Sequence, residues 1–433
     1  MIATSNILSS FLDSQLSLES AYERVKHNVD DKTGIIPWVK ELPTPYANGT
    51  FHISLAKHPI LSDFHSLNGL LENLKASSSA IAPSARLAKI LSICEALERW
   101  TCVSQGGEYS HVFSYNEIRE RAFSPKDLHC ISDMQYQKRE ETNVLYPSGG
   151  GFIPEPLDPN KQLQWCPVFD VLNNEWKYVL KSSCYFGHHD KGHVYSVADS
   201  RGVAAGPDKE FCIWHALLEL IETDAGAIWN ANRIQRPEVN IESFENPYLL
   251  QLKEVHENLG RDLWVLDVTM DIPGVVVLAA ISRDRRSGNL IKGFGSHPSA
   301  ANALKKALME CCQMLPNVIN EAHTTIQANE PTPLHFTPRH DTDVLNKDDF
   351  SSRLKAKTIS DIIHALSAKN IQVLIQDVTR PEIGLHVVRV FGPGMRPWFD
   401  RRGPGRLYDV PVNMGIQLKK LQEKEITSKP IES

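Results

Sequence analysis

The stretch PSARLAKILSICEALE, residues 83–98, decides how this chain is read, because two later stretches repeat its skeleton. They are PDKEFCIWHALLELIE at 207–222 and PSAANALKKALMECCQ at 298–313. In each, a Pro followed by Ser or Asp stands twelve residues before a Glu, and Glu or Gln comes three residues later. Each also follows a run of small residues: Ser77-Ser-Ser79, Ser200-Arg-Gly202 with Gly206, and Gly293-Phe-Gly-Ser296. Ser and Asp are good helix N-caps. The repeated unit is therefore a small-residue loop, a capped helix start, and a polar pair three turns further in. A second echo, VLDVT at 265–269 against LIQDVT at 374–379, supports an internal duplication.

Helical phase says where the polar pairs point. Successive helix residues turn by roughly 100°. With Leu87 at zero, Ile90, Leu91 and Cys94 form an apolar stripe within about 60°, and Glu98 falls inside it at about 20°. With Phe211 at zero, His215, Leu218 and Trp229 lie close by, and Glu222 again falls at about 20°. Glu95 and Glu219 sit at the stripe edges. Two helices thus aim carboxylate pairs inward, where unpaired carboxylates are costly and repel one another. Each Glu could instead pair with a local cation such as Arg99. Matching phase on two helices, with a third polar pair in register, favours a divalent cation, and Mg²⁺ suits oxygen ligands plus phosphate.

The small-residue loops ahead of the helices suit an anionic ligand, because helix N-termini and open backbone N–H groups bind phosphate. The chain has no Gly-x-x-x-x-Gly-Lys-[Ser/Thr] loop, no kinase signature set and no Gly-x-Gly-x-x-Gly fingerprint. The residues point to a nucleotide site of less common type, built from duplicated helices.

The rest of the sequence sets limits. The 433 residues allow one large domain or two smaller ones. A formal charge of −6 argues against wholesale nucleic-acid binding. No apolar run reaches the roughly 20 residues of a membrane span, and the start MIATSNILSSFLDSQ lacks secretory character, so a cytoplasmic protein is expected. The eight cysteines, at 94, 102, 130, 166, 184, 212, 311 and 312, include no Cys-x-x-Cys pair, which argues against structural zinc or a disulfide framework. Helices are expected over 84–103, 208–230 and 299–315. Strands are expected over 264–269, 275–281, 290–295, 372–378 and 386–391, the second and third as a hairpin. Segments 143–160 and 322–350 read as long loops. The fold class is α+β, with duplicated, mostly antiparallel sheets. Residues 1–74 read as an irregular N-terminal extension, 75–415 as the main domain, and 416–433 as a tail without an apolar face that demands packing.

Four ordered segments carry a family resemblance. Ser92-Ile-Cys-Glu95-Ala-Leu-Glu98-Arg99 resembles the first signature of the YcaO family, Glu-Ala-x-Glu-Arg closely preceded by Ser. Ser200-Arg-Gly-Val-Ala-Ala-Gly206 with Glu219-Leu-Ile-Glu222 resembles the second, Gly293 through Gln313 the third, and Gly403-Pro-Gly-Arg-Leu-Tyr-Asp-Val-Pro411 the C-terminal segment. The match spans about 75–412, and 302–310 is most similar to synthetases of microcin-type azole peptides. The resemblance implies a YcaO-type ATP-binding fold in which Glu95, Glu98, Glu219, Glu222 and Glu310 hold Mg²⁺ against ATP. It places Ser79, Ser92, Arg99, Ser200, Gln313 and Arg406 about the nucleotide. Family members phosphorylate a peptide carbonyl oxygen, after which attack by a neighbouring Cys, Ser or Thr side chain gives a thiazoline or oxazoline. The implied partners are a ribosomally made precursor peptide, a ubiquitin-activating-enzyme-like protein that holds its leader, and in many cases a flavin dehydrogenase, working as an oligomeric complex without nucleic acid or membrane.

Two departures matter. Thr223 stands where the family commonly has Arg after the second Glu pair, which removes a phosphate contact. The tail carries Pro430 alone, where azoline-forming members often end in a Pro-x-Pro-x-Pro-like segment. An azoline-forming enzyme, a thioamide- or amidine-forming relative, and a non-catalytic peptide-binding subunit all stay open at this point, and the intact acidic pairs favour the first two.

Overall fold

A computed structural model describes residues 18–59, 76–146, 151–188, 190, 192–321 and 332–426 of the chain. Helix α1 (Leu18–Val25) is followed by strands β1 (Val39–Leu42), β2 (His52–Lys57) and β3 (Ser77–Ala82) and helix α2 (Ala85–Thr101). Strands β4 (His111–Phe113), β5 (Leu163–Asp170), β6 (Glu175–Leu180) and β7 (Val203–Gly206) lead into helix α3 (Lys209–Ala231). Next come α4 (Pro247–Asn258), β8 (Arg261–Asp267), β9 (Val276–Asp284), β10 (Leu290–His297) and α5 (Ala300–Gln313). Helix α6 (Ile359–Ser367), strands β11 (Leu374–Asp377) and β12 (His386–Phe391), and helix α7 (Arg406–Asn413) complete the set.

Three sheets result, in the orders β1-β2-β3, β10-β9-β8 and β4-β5-β11-β12-β7, with β6 on the far side of β5. Every pairing between these strands is antiparallel. The mixed class expected from the sequence is the class observed. The three helix-start motifs are the ends of three similar units. In each, a strand hairpin and a third strand run into a long helix: β1-β2-β3-α2, β8-β9-β10-α5 and β11-β12-β7-α3. A shorter helix opens each unit and packs against the long one: α1 on α2, α4 on α5, α6 on α3. The last residue of each first strand pairs eleven residues on: Leu42 with Ile53, Asp267 with Leu278, Asp377 with Val388. In the third unit the order along the chain is permuted, since β7 and α3 precede α6, β11 and β12.

The VLDVT and LIQDVT echo has a physical cause. The Thr269 hydroxyl accepts from Val277 N at 2.9 Å and donates to Val277 O at 3.3 Å. Thr379 does the same with Val387, at 3.0 and 3.3 Å. Each Thr amide also donates to the Asp two residues back, Asp267 or Asp377. One turn, stapled the same way, fixes both hairpins.

The caps explain the helix starts. Ser84 Oγ accepts from Leu87 N at 3.3 Å, and Asp208 Oδ1 from Phe211 N at 2.8 Å, both from extended backbone. The third start differs: the Ser299 side chain makes no cap bond, and its amide donates to His297 Nδ1 at 2.8 Å. Other expectations are corrected too. Residues 39–57 are not irregular, because β1 and β2 pair with β3 and complete the first unit. The helix Arg139–Leu145 runs into the segment expected to be loop from 143. The tail does pack, since Ile426 is buried among the residues of the second core cluster and Ser132 Oγ donates to Glu423. The proposed boundary at 74 and the final residues 427–433 lie outside the described residues. Among the described residues no helix is long and apolar enough to cross a membrane, and all eight cysteines are free and buried.

Helix α5 lies directly on β10, and two glycines make that possible. A Cβ on Gly293 would stand 2.2 Å from Cys311 N, and one on Gly295 would stand 2.1 Å from Ala303 O. Backbone atoms cannot swing aside as a side chain can. Gly295→Ala is therefore expected to destabilise the protein by about 2 kcal/mol, read as a lower urea midpoint at unchanged slope; an unchanged midpoint would mean that the helix is free to lift off the strand.

Candidate active site

The three long helices lock together in a ring. Each packs on its own third strand and on the third strand of another unit: α2 on β3 and β7, α3 on β7 and β10, α5 on β10 and β3. Polar bonds follow the same circuit. Glu98 Oε2 on α2 accepts from Ala205 N on β7 at 3.0 Å. Ser296 Oγ on β10 donates to Leu218 O on α3 at 3.0 Å. Gln313 Nε2 on α5 donates to Ser79 O and Oγ on β3, at 2.8 and 2.7 Å. Glu98 and Gln313 are equivalent positions of the repeated motif, and each reaches a neighbouring strand. Phe294 N adds a bond to Glu310 Oε2 at 2.8 Å.

This closure brings Glu95, Glu98, Glu219, Glu222 and Glu310 together, each at least 93% buried. Their charges are felt along the row: Glu95 on Glu98, Glu98 and Glu222 on Glu219, Glu222 on Glu310. Two cations lie within ion-pair distance of them. Arg99 lies 3.5 Å from Glu95 Oε1 and 3.4 Å from Glu98 Oε1, and Lys306 Nζ lies 3.3 Å from Glu222 Oε2. Lys306 also donates to Ser296 O at 3.3 Å. Burial pushes the Glu98 carboxyl up to about 7 and the Glu310 carboxyl up to about 8, and raises Glu95 and Glu219 as well. Glu95 Oε2, Glu98 Oε1 and Glu310 Oε1 are buried without a hydrogen-bond partner among the described residues.

These orphaned oxygens are the observation that fits a divalent cation. Five acids against two cations leave lone pairs and negative charge that protein groups do not satisfy. Among the described residues no three ligating side chains gather tightly enough to hold a metal alone. Mg²⁺ beside a nucleotide needs only one or two carboxylates, with phosphate oxygens completing the shell.

The remaining expected residues are placed as follows. Ser79 and Gln313 meet, as described. Ser92 is fully buried and bonds Ser54 Oγ on β2 and Lys89 O, so it braces α2 against its sheet and does not face the acids. Ser200 is half-buried in the turn before β7, next to the Asp199–Arg201 ion pair. Arg406 is clamped by Asp224, with Nε 3.1 Å from both carboxylate oxygens, and by Asp271 at 2.7 Å. The Thr223 hydroxyl donates to Glu219 O within its own helix. Lys306 was missed, although its place one turn before Glu310 in the third motif was signal enough. Buried Arg389 on β12 acts on Glu98 and was also missed, because nothing near it in sequence marks it.

The model of the YcaO cyclodehydratase family, described as ATP- and Mg²⁺-binding, matches residues 82–396. A heterocyclase solved in complex with substrate and cofactor is 31% identical, with a TM-score of 0.88 over 96% of this chain and 57% of that one. The heterocyclase TruD is 31% identical, with a TM-score of 0.72 over 80% of this chain and 52% of that one. YcaO from Methanopyrus kandleri, bound with AMPPCP and Mg²⁺, is 17% identical and shares the fold, with a TM-score of 0.62 over 88% and 91%. This chain belongs to the YcaO family. It spans a little over half the length of the two heterocyclase chains.

The raised carboxyls have a consequence for stability. Glu98 moves from its ordinary 4.5 to about 7. Its contribution is fully present below about 4.5 and is lost as pH rises through about 7, because the folded site holds the proton more tightly. Without Mg²⁺ or nucleotide, Glu98→Gln should melt close to the wild type at pH 5 and clearly above it at pH 8. A difference that stays constant with pH would show that this carboxylate is solvated in the folded protein.

Proposed function

We propose that this chain uses ATP to phosphorylate the oxygen of a backbone amide in a ribosomally made peptide, releasing ADP, and that a neighbouring Cys, Ser or Thr side chain then bonds to the activated carbon, whose bond to the phosphorylated oxygen breaks to release phosphate and leave a thiazoline or oxazoline. The observation that carries the reading is the row of five buried acids with orphaned oxygens, held by three interlocked helices. The 31% identity to two heterocyclases over most of this chain supports the ring-forming outcome.

Glu95, Glu98, Glu219, Glu222 and Glu310 would hold Mg²⁺. Bound there, the cation offsets charge on the phosphates during phosphoryl transfer. The chain's own groups do the rest. Arg99 keeps Glu95 and Glu98 apart and oriented. Lys306 anchors Glu222 and adds a positive charge beside the row. The Gln313–Ser79 latch closes the ring and keeps α5 against β3. The amide oxygen is a poor leaving group, and phosphorylation makes it a good one, so the site needs precise placement more than a strong base. A leader-binding protein of the ubiquitin-activating-enzyme type is the proposed partner, with a flavin dehydrogenase where azolines are oxidised further, and the cytoplasm is the proposed setting.

Glu98→Gln and Glu222→Gln should each lower peptide-dependent ADP release by about a hundredfold or more, roughly 2.7 kcal/mol of barrier. Both should keep the wild-type far-UV spectrum and lose the stabilisation that Mg·ATP confers. Normal ADP release by either variant would falsify the metal assignment.

A further inference from the structure

A half-open cavity, with about 340 Å³ of space partly continuous with solvent, lies beside the β12–β7 pair that reaches Glu98, and its lining mixes two arginines and one aspartate with polar and apolar groups. Its walls include His129, Ser183, Asp199, Arg201, Leu220 and Arg389. Arg389 is 1% exposed. Its Nη1 donates to Asp199 O at 2.8 Å, and its guanidinium lies against the Cys102 thiol. Nε and Nη2 have no hydrogen-bond partner, and no acidic side chain lies within ion-pair distance, among the described residues. The Asp199 carboxylate is taken by Arg201, through Nε at 3.1 Å and Nη2 at 2.9 Å. His129 Nε2 lies 2.7 Å from Ser196 Oγ and 3.3 Å from Ser183 Oγ, and the two hydroxyls are 2.7 Å apart. Burial holds the His129 ring down at about 4, so it is neutral at physiological pH.

A guanidinium buried without an acidic partner is expensive unless an anion answers it. The cavity offers such an anion the open face of Arg389 and the hydroxyl of Ser183. It also stands in the right place. Arg389 pairs with Val203 across β12 and β7, and Ala205, two residues on, holds Glu98. Leu220 in the cavity wall is next in sequence to Glu219.

We propose that this cavity is an oxyanion subsite, centred on Arg389, that binds phosphate. The choice of phosphate over other anions rests on the amide-phosphorylating reading, which supplies either a transferable phosphoryl group or a departing phosphate at this point. Phosphate binds here without metal, nucleotide or peptide, because the donors belong to the folded chain.

The test is a thermal-shift titration of the full chain with inorganic phosphate at constant ionic strength, with no Mg²⁺ or nucleotide. A saturable rise in melting temperature is expected, with no such rise in sodium chloride. Arg389→Gln should weaken the apparent affinity at least tenfold. If that variant does not fold, Ser183→Ala decides, with an expected loss of about fivefold, the scale of one hydrogen bond to a charged group or somewhat less. No saturable shift in the wild type, or an unchanged affinity in the deciding variant, overturns the proposal. So does a stronger effect of acetate, which would assign the cavity to a peptide carboxylate. Repeating the titration with saturating Mg·AMPPCP or Mg·ADP separates the sources. Loss of phosphate binding with AMPPCP alone identifies the transferable phosphoryl group, and binding retained with both identifies the departing phosphate; either keeps the subsite. Glu98→Gln should bind phosphate while losing ATP turnover, so failure of the metal assignment and failure of this subsite give different results.

Discussion

Each long helix of this protein lies on two strands from different units, and that shared packing is what the rest of the structure depends on. A helix that served its own sheet alone could shift along its axis at modest cost. Here a shift of α2 would also break the Glu98–Ala205 bond to β7, and a shift of α5 would break the Gln313–Ser79 bond to β3. Close packing makes such an assembly either seated or not. The three units therefore define one another's positions, and the acids at the end of each motif have nowhere to go but the shared interior.

That arrangement is unfavourable by itself. Burial raises the proton affinity of Glu95, Glu98, Glu219 and Glu310, and among the described residues Glu95, Glu98 and Glu310 each keep an oxygen without a hydrogen-bond partner. A fold under pressure for stability alone would replace them with apolar side chains of similar volume. Their presence costs stability that an apolar interior would keep. The interlocked helices are what keep the acids from relaxing apart.

Much of this was legible in the sequence because repetition amplifies weak signals. One Glu on an apolar stripe says little, but the same phase on two helices, with a third pair in register, fixed both the helix starts and the inward direction of Glu98 and Glu222. The Thr staples were visible as the VLDVT and LIQDVT echo before their hydrogen bonds gave it a reason. What stayed hidden depends on distant pairing. β1 and β2 have mixed composition, with Lys40 and Glu41 exposed in the middle of β1, and become strands because β3 is there to pair with. Ser92 carries a motif signature yet faces its own sheet, and Arg406 sits in a motif-like segment yet answers Asp224 and Asp271. Sequence gave those residues their neighbours along the chain, and the fold gave them different ones.

The permuted third unit bears on how the chain comes together during synthesis. Strand β7 and helix α3 are made early, but β12, the strand that pairs with β7, spans His386–Phe391. At ordinary translation rates of about 5–20 residues per second, β7 waits on the order of ten seconds or more for its partner. Through that interval its backbone groups form an open sheet edge, the kind of surface that recruits foreign strands. The two other units are contiguous in the chain and can close as they emerge. The same long return that completes the third unit therefore leaves the middle of the nascent chain exposed to aggregation while it waits.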